Sequence, residues 1–183
     1  MKKQPSSNKG RCKINGFKYP AADTISGRTS TICRSMACTL VTREPCTPEL
    51  EKTWLSFFND KCAYCGDKAT HLDHLFPLID DKQPTGYGTG PSNLVPCCGK
   101  CNQSKGNMQW QDFMGSTKCK HVDGGRNARI GTIERFQAEM PATCINIDAG
   151  TKKEFEEIRG QFTKALQEAE RKLLALKETL MKG

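Results

Sequence analysis

Apolar and aromatic residues are scarce in this chain, and acids are almost missing from its first quarter. The hydrophobic fraction is 36% and aromatics make up 7% of the 183 residues. A length of 183 residues supports one domain with an appendage, and so lean a composition gains from metal staples. No apolar segment opens the chain, since Met1 to Ser7 reads as a polar tail, and residues 1–10 are expected to be disordered. No run approaches a membrane span, which excludes membrane insertion in this reading. Eleven cysteines would suggest disulfides in a secreted protein. Without an export signal they read instead as metal ligands in a reducing cytoplasm. No internal repeat is visible.

The shortage of acids is local. Residues 1–43 hold nine basic residues and one acid, Asp23, while the rest of the chain carries 19 of each sign. The net charge of +8 therefore sits in the first segment. One reading is a phosphate-binding arm, because each neutralised phosphate releases counterions. The other is a solubilising tail. Arg28, Arg34 and Arg43 lie among the cysteines and are the candidate phosphate contacts.

What is present is a dense constellation in the middle. Cys62-x-x-Cys65 and Cys98-x-x-Cys101 enclose Asp73-His74 and Asn93, and Asn102 follows the last cysteine. Two tight CxxC turns supply the four corners of a structural zinc site. Cys97 stands as an alternative to Cys98, but the two-residue spacing favours Cys98. His74 is a base with a pKa suited to neutral pH. Asp73 and Asn102 are hard oxygen ligands for Mg2+ or Mn2+. Other roles stay open: His74 as a zinc ligand or core histidine, Asp73 as an orienting group, Asn102 as a helix cap, and Asn93 as a turn residue. Adjacent residues of a strand point to opposite faces, so Asp73 and His74 share a site only if the strand ends or distorts there. Lys105 lies three positions after Asn102 on nearly the same helix face and is a candidate phosphate contact, or a solvated lysine. His71 shares the face of Asp73, and His121 is too isolated to assign. Cys12, Cys33, Cys38 and Cys46 lack a CxxC pair and form a second zinc site or remain free thiols.

The stretch CAYCGDKATHLDHLFPL…PSNLVPCCGKCNQSKGN resembles an HNH (ββα-metal) nuclease with structural zinc. The resemblance covers residues 54–113, about a third of the chain, and carries Pro77, Asn93-Leu94 and Lys105-Gly106 in the family's order. It implies an α+β fold with a small ββα-metal core, His74 as general base, one catalytic metal ion on Asp73 and Asn102, and Asn93 as the residue fixing the loop that holds His74. The substrate implied is double-stranded DNA, hydrolysed at its phosphodiester bonds. A type II restriction endonuclease suits a small chain with a basic arm. A phage or mobile-element HNH nicking or homing endonuclease, or a zinc-ribbon DNA-binding module without catalysis, are the alternatives.

The expected organisation is a basic Cys-rich arm at 1–46, a nuclease core at 47–114 and a helical region at 115–183. Gly16, Pro20, Gly27 and Pro45 punctuate the arm into short segments. Thr47-Pro48-Glu49 opens a helix that runs to about Asn59. A zinc turn at 62–66, strands at 70–75 and 93–96, a loop at 80–92 and a helix from Gly99 to about Met108 follow. Trp110, Phe113 and Met114 close the core. Residues 115–130 read as a loop with a basic end at Arg126 and Arg129, and 131–140 as a helix stopped by Pro141. Residues 151–182 lack proline and carry Phe155, Ile158, Phe162, Leu166, Leu173, Leu176 and Leu180 at helical spacing. That stripe docks on its own domain or forms a homodimer seam.

Overall fold

The computed structural model describes residues 13–14, 17–18, 25–41, 43–120 and 124–181, with the backbone alone at 13–14, 17–18, 25–28 and 30. The expectations for residues 1–10, Cys12, the Arg28 side chain and His121 fall outside the described residues. The elements are β1 (Lys13–Ile14), β2 (Phe17–Lys18), α1 (Ile25–Leu40), α2 (Pro48–Phe58), β3 (His71–His74), β4 (Ile79–Asp80), β5 (Gln83–Pro84), β6 (Leu94–Cys97), α3 (Gly99–Lys105), α4 (Trp110–Gly115), α5 (Arg126–Glu139) and α6 (Ala149–Leu180). The chain divides into two compact units, 33–161 and 1–32 with 162–183. Both α1 and α6 run from one unit into the other, so the division cuts inside the expected arm and the expected helical region.

The centre of the larger unit is β3 paired antiparallel to β6, followed directly by α3. The register sets Asp73 opposite Val95 and His74 opposite Leu94. α2 begins where the sequence places it: the Thr47 hydroxyl accepts the Leu50 N–H at 3.3 Å, and Pro48 takes the first turn, where its missing N–H costs nothing. It ends at Asn59, in the left-handed region with φ 46°. Trp54 Nε1 donates to the Leu94 carbonyl at 2.6 Å and ties this helix to β6. Phe57 and Phe58 meet Phe136 of α5 edge-on at 5.5 and 5.1 Å. Phe58 and Phe136 form the buried core with Leu75, Val95, Trp110, Phe113, Met114, Ile133 and the cysteines, and half-buried Phe57 packs against it.

Three elements depart from the sequence reading. The first is α1, a sixteen-residue helix where short segments were expected. Its Ser, Thr, Cys and Gly are weak helix formers, so tertiary packing decides: Ala37 is buried against Ile79 and Phe155, with Met36 beside them. The second is the β4–β5 hairpin inside the expected loop. Its turn residues Asp81 and Lys82 both have positive φ, a conformation that Asn-Gly usually signals. The third is α5, which starts at Arg126 rather than Gly131. In α6 the one buried side chain is Phe155, so docking on its own domain holds near the start of the helix. Leu173, Leu176 and Leu180 are 60–81% exposed. Among the described residues no helix is long and apolar enough to cross a membrane.

Candidate active site and zinc centre

The sulfurs of Cys62, Cys65, Cys98 and Cys101 all lie within 4.8 Å of one another. The Cys65 and Cys98 sulfurs are 3.6 Å apart, close to the edge of ~3.8 Å that four Zn–S bonds of about 2.3 Å require in a tetrahedron. The four residues therefore fit zinc. The first turn is closed by Gly66 N–H to the Cys62 carbonyl at 2.9 Å, with Gly66 at φ +81°. The second opens α3, with Cys98 as its N-cap, its sulfur accepting the Cys101 N–H at 3.4 Å. Mutual contact and burial push the Cys62 thiol far above its ordinary value, and burial lifts Cys65 to about 12. So crowded a set of thiols needs a cation before it ionises. Cys97 is fully buried on β6 outside this cluster. Cys33, Cys38 and Cys46 join no cluster among the described residues.

A cleft of about 260 Å³ lies beside the zinc turns, lined by Asp73, His74, Asn102, Arg34, Pro77, Gln103 and Asn107 among others. It brings together the three residues expected to carry the chemistry. Asp73 and His74 share it because β3 stops at His74. Asn102 lies inside α3, past its cap, so its side chain does not start the helix. Asn93 is buried and clamps the chain just after His74. Its Oδ1 accepts the Phe76 N–H at 2.8 Å, and its Nδ2 donates to the carbonyls of Phe76 at 3.1 Å and Gly88 at 2.9 Å.

Thr89 and Tyr64 emerge as site residues that the sequence reading missed. The Thr89 hydroxyl lies 2.9 Å from His74 Nε2 and 3.7 Å from the Cys38 sulfur of α1. The Tyr64 hydroxyl donates to Asp73 Oδ2 at 2.8 Å. Nothing in a Gly-Thr-Gly loop, or in a tyrosine between two ligand cysteines, signals either role. Burial lowers the pKa of His74 to about 4; Asp73 opposes this, and Arg34 and Lys105 add to it. The imidazole is thus neutral at pH 7, the form a base requires.

Lys105 corrects one expectation. Its ammonium is not offered to a phosphate: the residue is 1% exposed, pairs with Asp73 Oδ2 at 3.1 Å and donates to the His74 carbonyl at 2.7 Å. A buried carboxylate recruits a partner charge, and the inward face of α3 supplies it. Arg34 is exposed on the cleft, with Nη2 3.4 Å from Asn107 Oδ1. Arg43 is exposed beside a separate apolar groove with Trp54 and Leu72. His71 is exposed on β3, with Nδ1 2.8 Å from the Thr70 hydroxyl, and it packs against Gly99.

Residues 62–108 match the family model of the HNH endonuclease. The CRISPR-associated endonuclease Cas9 of Corynebacterium diphtheriae is 35% identical over 68 residues, 35% of this chain and 6% of that protein. The chain thus spans a small fraction of the length of this relative. No solved structure matches the chain. With a family match that starts at the first zinc cysteine and ends just beyond α3, on a ββα core whose Asp73, His74 and Asn102 share one cleft, residues 62–108 form an HNH endonuclease domain.

Proposed function

We propose that the chain is a divalent-metal-dependent DNA endonuclease that hydrolyses phosphodiester bonds with His74 as general base. The observation that carries this is the convergence of Asp73, His74 and Asn102 on one cleft. Asp73 and Asn102 offer hard oxygen atoms that suit Mg2+ or Mn2+. An ion held there would supply Lewis-acid stabilisation to the phosphate and the leaving 3′ oxygen. The chain's own residues do the rest. With Nε2 protonated and donating to Thr89, the imidazole presents Nδ1 as the acceptor for a water proton. Asn93 keeps the backbone after His74 in place. Arg34 is the cleft's exposed cation and the residue we assign to a DNA phosphate; Arg28 and Arg43 are proposed as outer contacts.

Within this class we favour a type II restriction endonuclease, with residues 47–114 as the nuclease core, 1–46 as the basic arm and 115–183 as the helical region. Cutting a palindrome calls for two subunits, and the exposed Leu173, Leu176 and Leu180 are the seam we propose for a homodimer. A reducing compartment such as the cytoplasm keeps the four zinc cysteines out of disulfides and open to the metal. A phage or mobile-element nicking enzyme is the second reading, and the Cas9 relative, itself an endonuclease, is compatible with it. Incubation with plasmid and phage DNA plus magnesium, followed by sequencing of the ends, separates the two. Uniform ends support restriction; scattered nicks support the second reading. His74→Ala should abolish cleavage while zinc content and DNA binding persist, and a near-normal rate in that variant refutes the base assignment.

A further inference from the structure

The two oxygens of the Asp73 carboxylate live in unequal surroundings. Oδ2 accepts from the Tyr64 hydroxyl at 2.8 Å and pairs with the Lys105 ammonium at 3.1 Å. Both donors are held in place. Tyr64 is fully buried, its ring edge-on to Phe113 at 5.2 Å. Lys105 is pinned by its second bond, to the His74 carbonyl. Turning either away would leave a buried polar group unpaired. The Tyr64 hydrogen bond and the nearest approach of Lys105 both fall on Oδ2, so Oδ1 is the oxygen we assign to the cleft that Asp73 lines.

We infer that Tyr64 and Lys105 select the ion. By holding Oδ2 they leave Asp73 one oxygen for a metal, which favours a small octahedral ion over calcium. The inference rests on the reading of Asp73 as a metal ligand. Calcium accepts six to eight oxygens, often through carboxylates that bind with both atoms, whereas magnesium keeps several waters and needs only one or two carboxylate contacts. A two-oxygen grip by Asp73 would bring the ion toward the Lys105 ammonium, where like charges repel. It would also break the Tyr64 bond. A one-oxygen grip through Oδ1 disturbs neither donor.

The test uses the full zinc-loaded chain without DNA. Mn2+ is titrated by electron paramagnetic resonance, and Mg2+ or Ca2+ competes for the site. Tyr64→Phe keeps the ring and removes one donor from Oδ2. Its Ca2+ affinity relative to Mg2+ should rise by about fivefold, the equivalent of one hydrogen bond of about 1 kcal/mol. Lys105→Met, which also removes the repelling charge, should raise the ratio further. An unchanged ratio in both variants, with Asp73→Asn still weakening Mn2+ binding, overturns the selection by Tyr64 and Lys105 alone. If Asp73→Asn leaves Mn2+ binding intact, the metal-ligand reading fails and the inference falls with it.

Discussion

Replacing Asn93 by alanine tests how the base is held. The side chain makes three hydrogen bonds, two to the backbone of Phe76 and one to the Gly88 carbonyl, and the residue is 2% exposed. At about 1 kcal/mol each, their loss costs about 3 kcal/mol, and partners left dry add to it. The backbone bond from Leu75 N–H to the Asn93 carbonyl at 2.8 Å survives the change, so β3 and β6 should stay paired. What is released is Phe76, two residues after His74. A displacement of about 1 Å at a catalytic group can cost on the order of 100-fold in rate. Urea denaturation at saturating zinc reads the first quantity, and single-turnover cleavage with magnesium reads the second. Asn93→Asp keeps the acceptor for Phe76 N–H but turns a carboxylate toward two carbonyls, so it should rescue neither. A stability loss below about 1 kcal/mol, or a rate within about threefold of the parent, would refute the clamp.

Zinc should be found at one ion per chain by metal analysis. Cys62→Ser or Cys101→Ser should unfold the core, because structural zinc contributes on the order of 10 kcal/mol to small sites; a zinc-free yet folded protein contradicts this. The folded protein holds His74 neutral down to about pH 4, whereas an unfolded chain protonates it near 6.5. The unfolded state therefore binds more protons between those values, and stability falls as pH drops through that window. In His74→Gln this part of the slope should vanish, as thermal unfolding between pH 4 and 7 would show. Arg34→Ala should reduce the slope of log DNA affinity against log salt by about 1, measured on a His74→Ala background. An unchanged slope there moves the phosphate contact elsewhere.

Much of the site was legible because its signals are local. Two CxxC turns, a dipeptide at a strand end and a cap-plus-proline helix start each bind chemistry to adjacent positions. What was hidden depends on distant partners. α1 is rich in weak helix formers such as Ser, Thr, Cys and Gly, and packing of Ala37 on Ile79 and Phe155 holds it. Lys105 reads as a surface lysine until β3 places Asp73 beneath α3. Thr89 lies in a polar loop, and only the closure of that loop over β3 brings its hydroxyl to His74. The β4–β5 turn lacks the glycine that would announce it.

The zinc clip also governs how this domain comes into being. Cys65 and Cys98 are 33 residues apart, and the ring they close contains Asp73, His74, Thr89 and Asn93. Joining those ends costs chain entropy that grows only with the logarithm of ring size. One captured ion meets that cost for the strand pairing and the active loop together. With zinc in that clip, folding of the domain would be coupled to metal binding. A zinc-stripped chain should therefore be cut by protease faster than the zinc-loaded one.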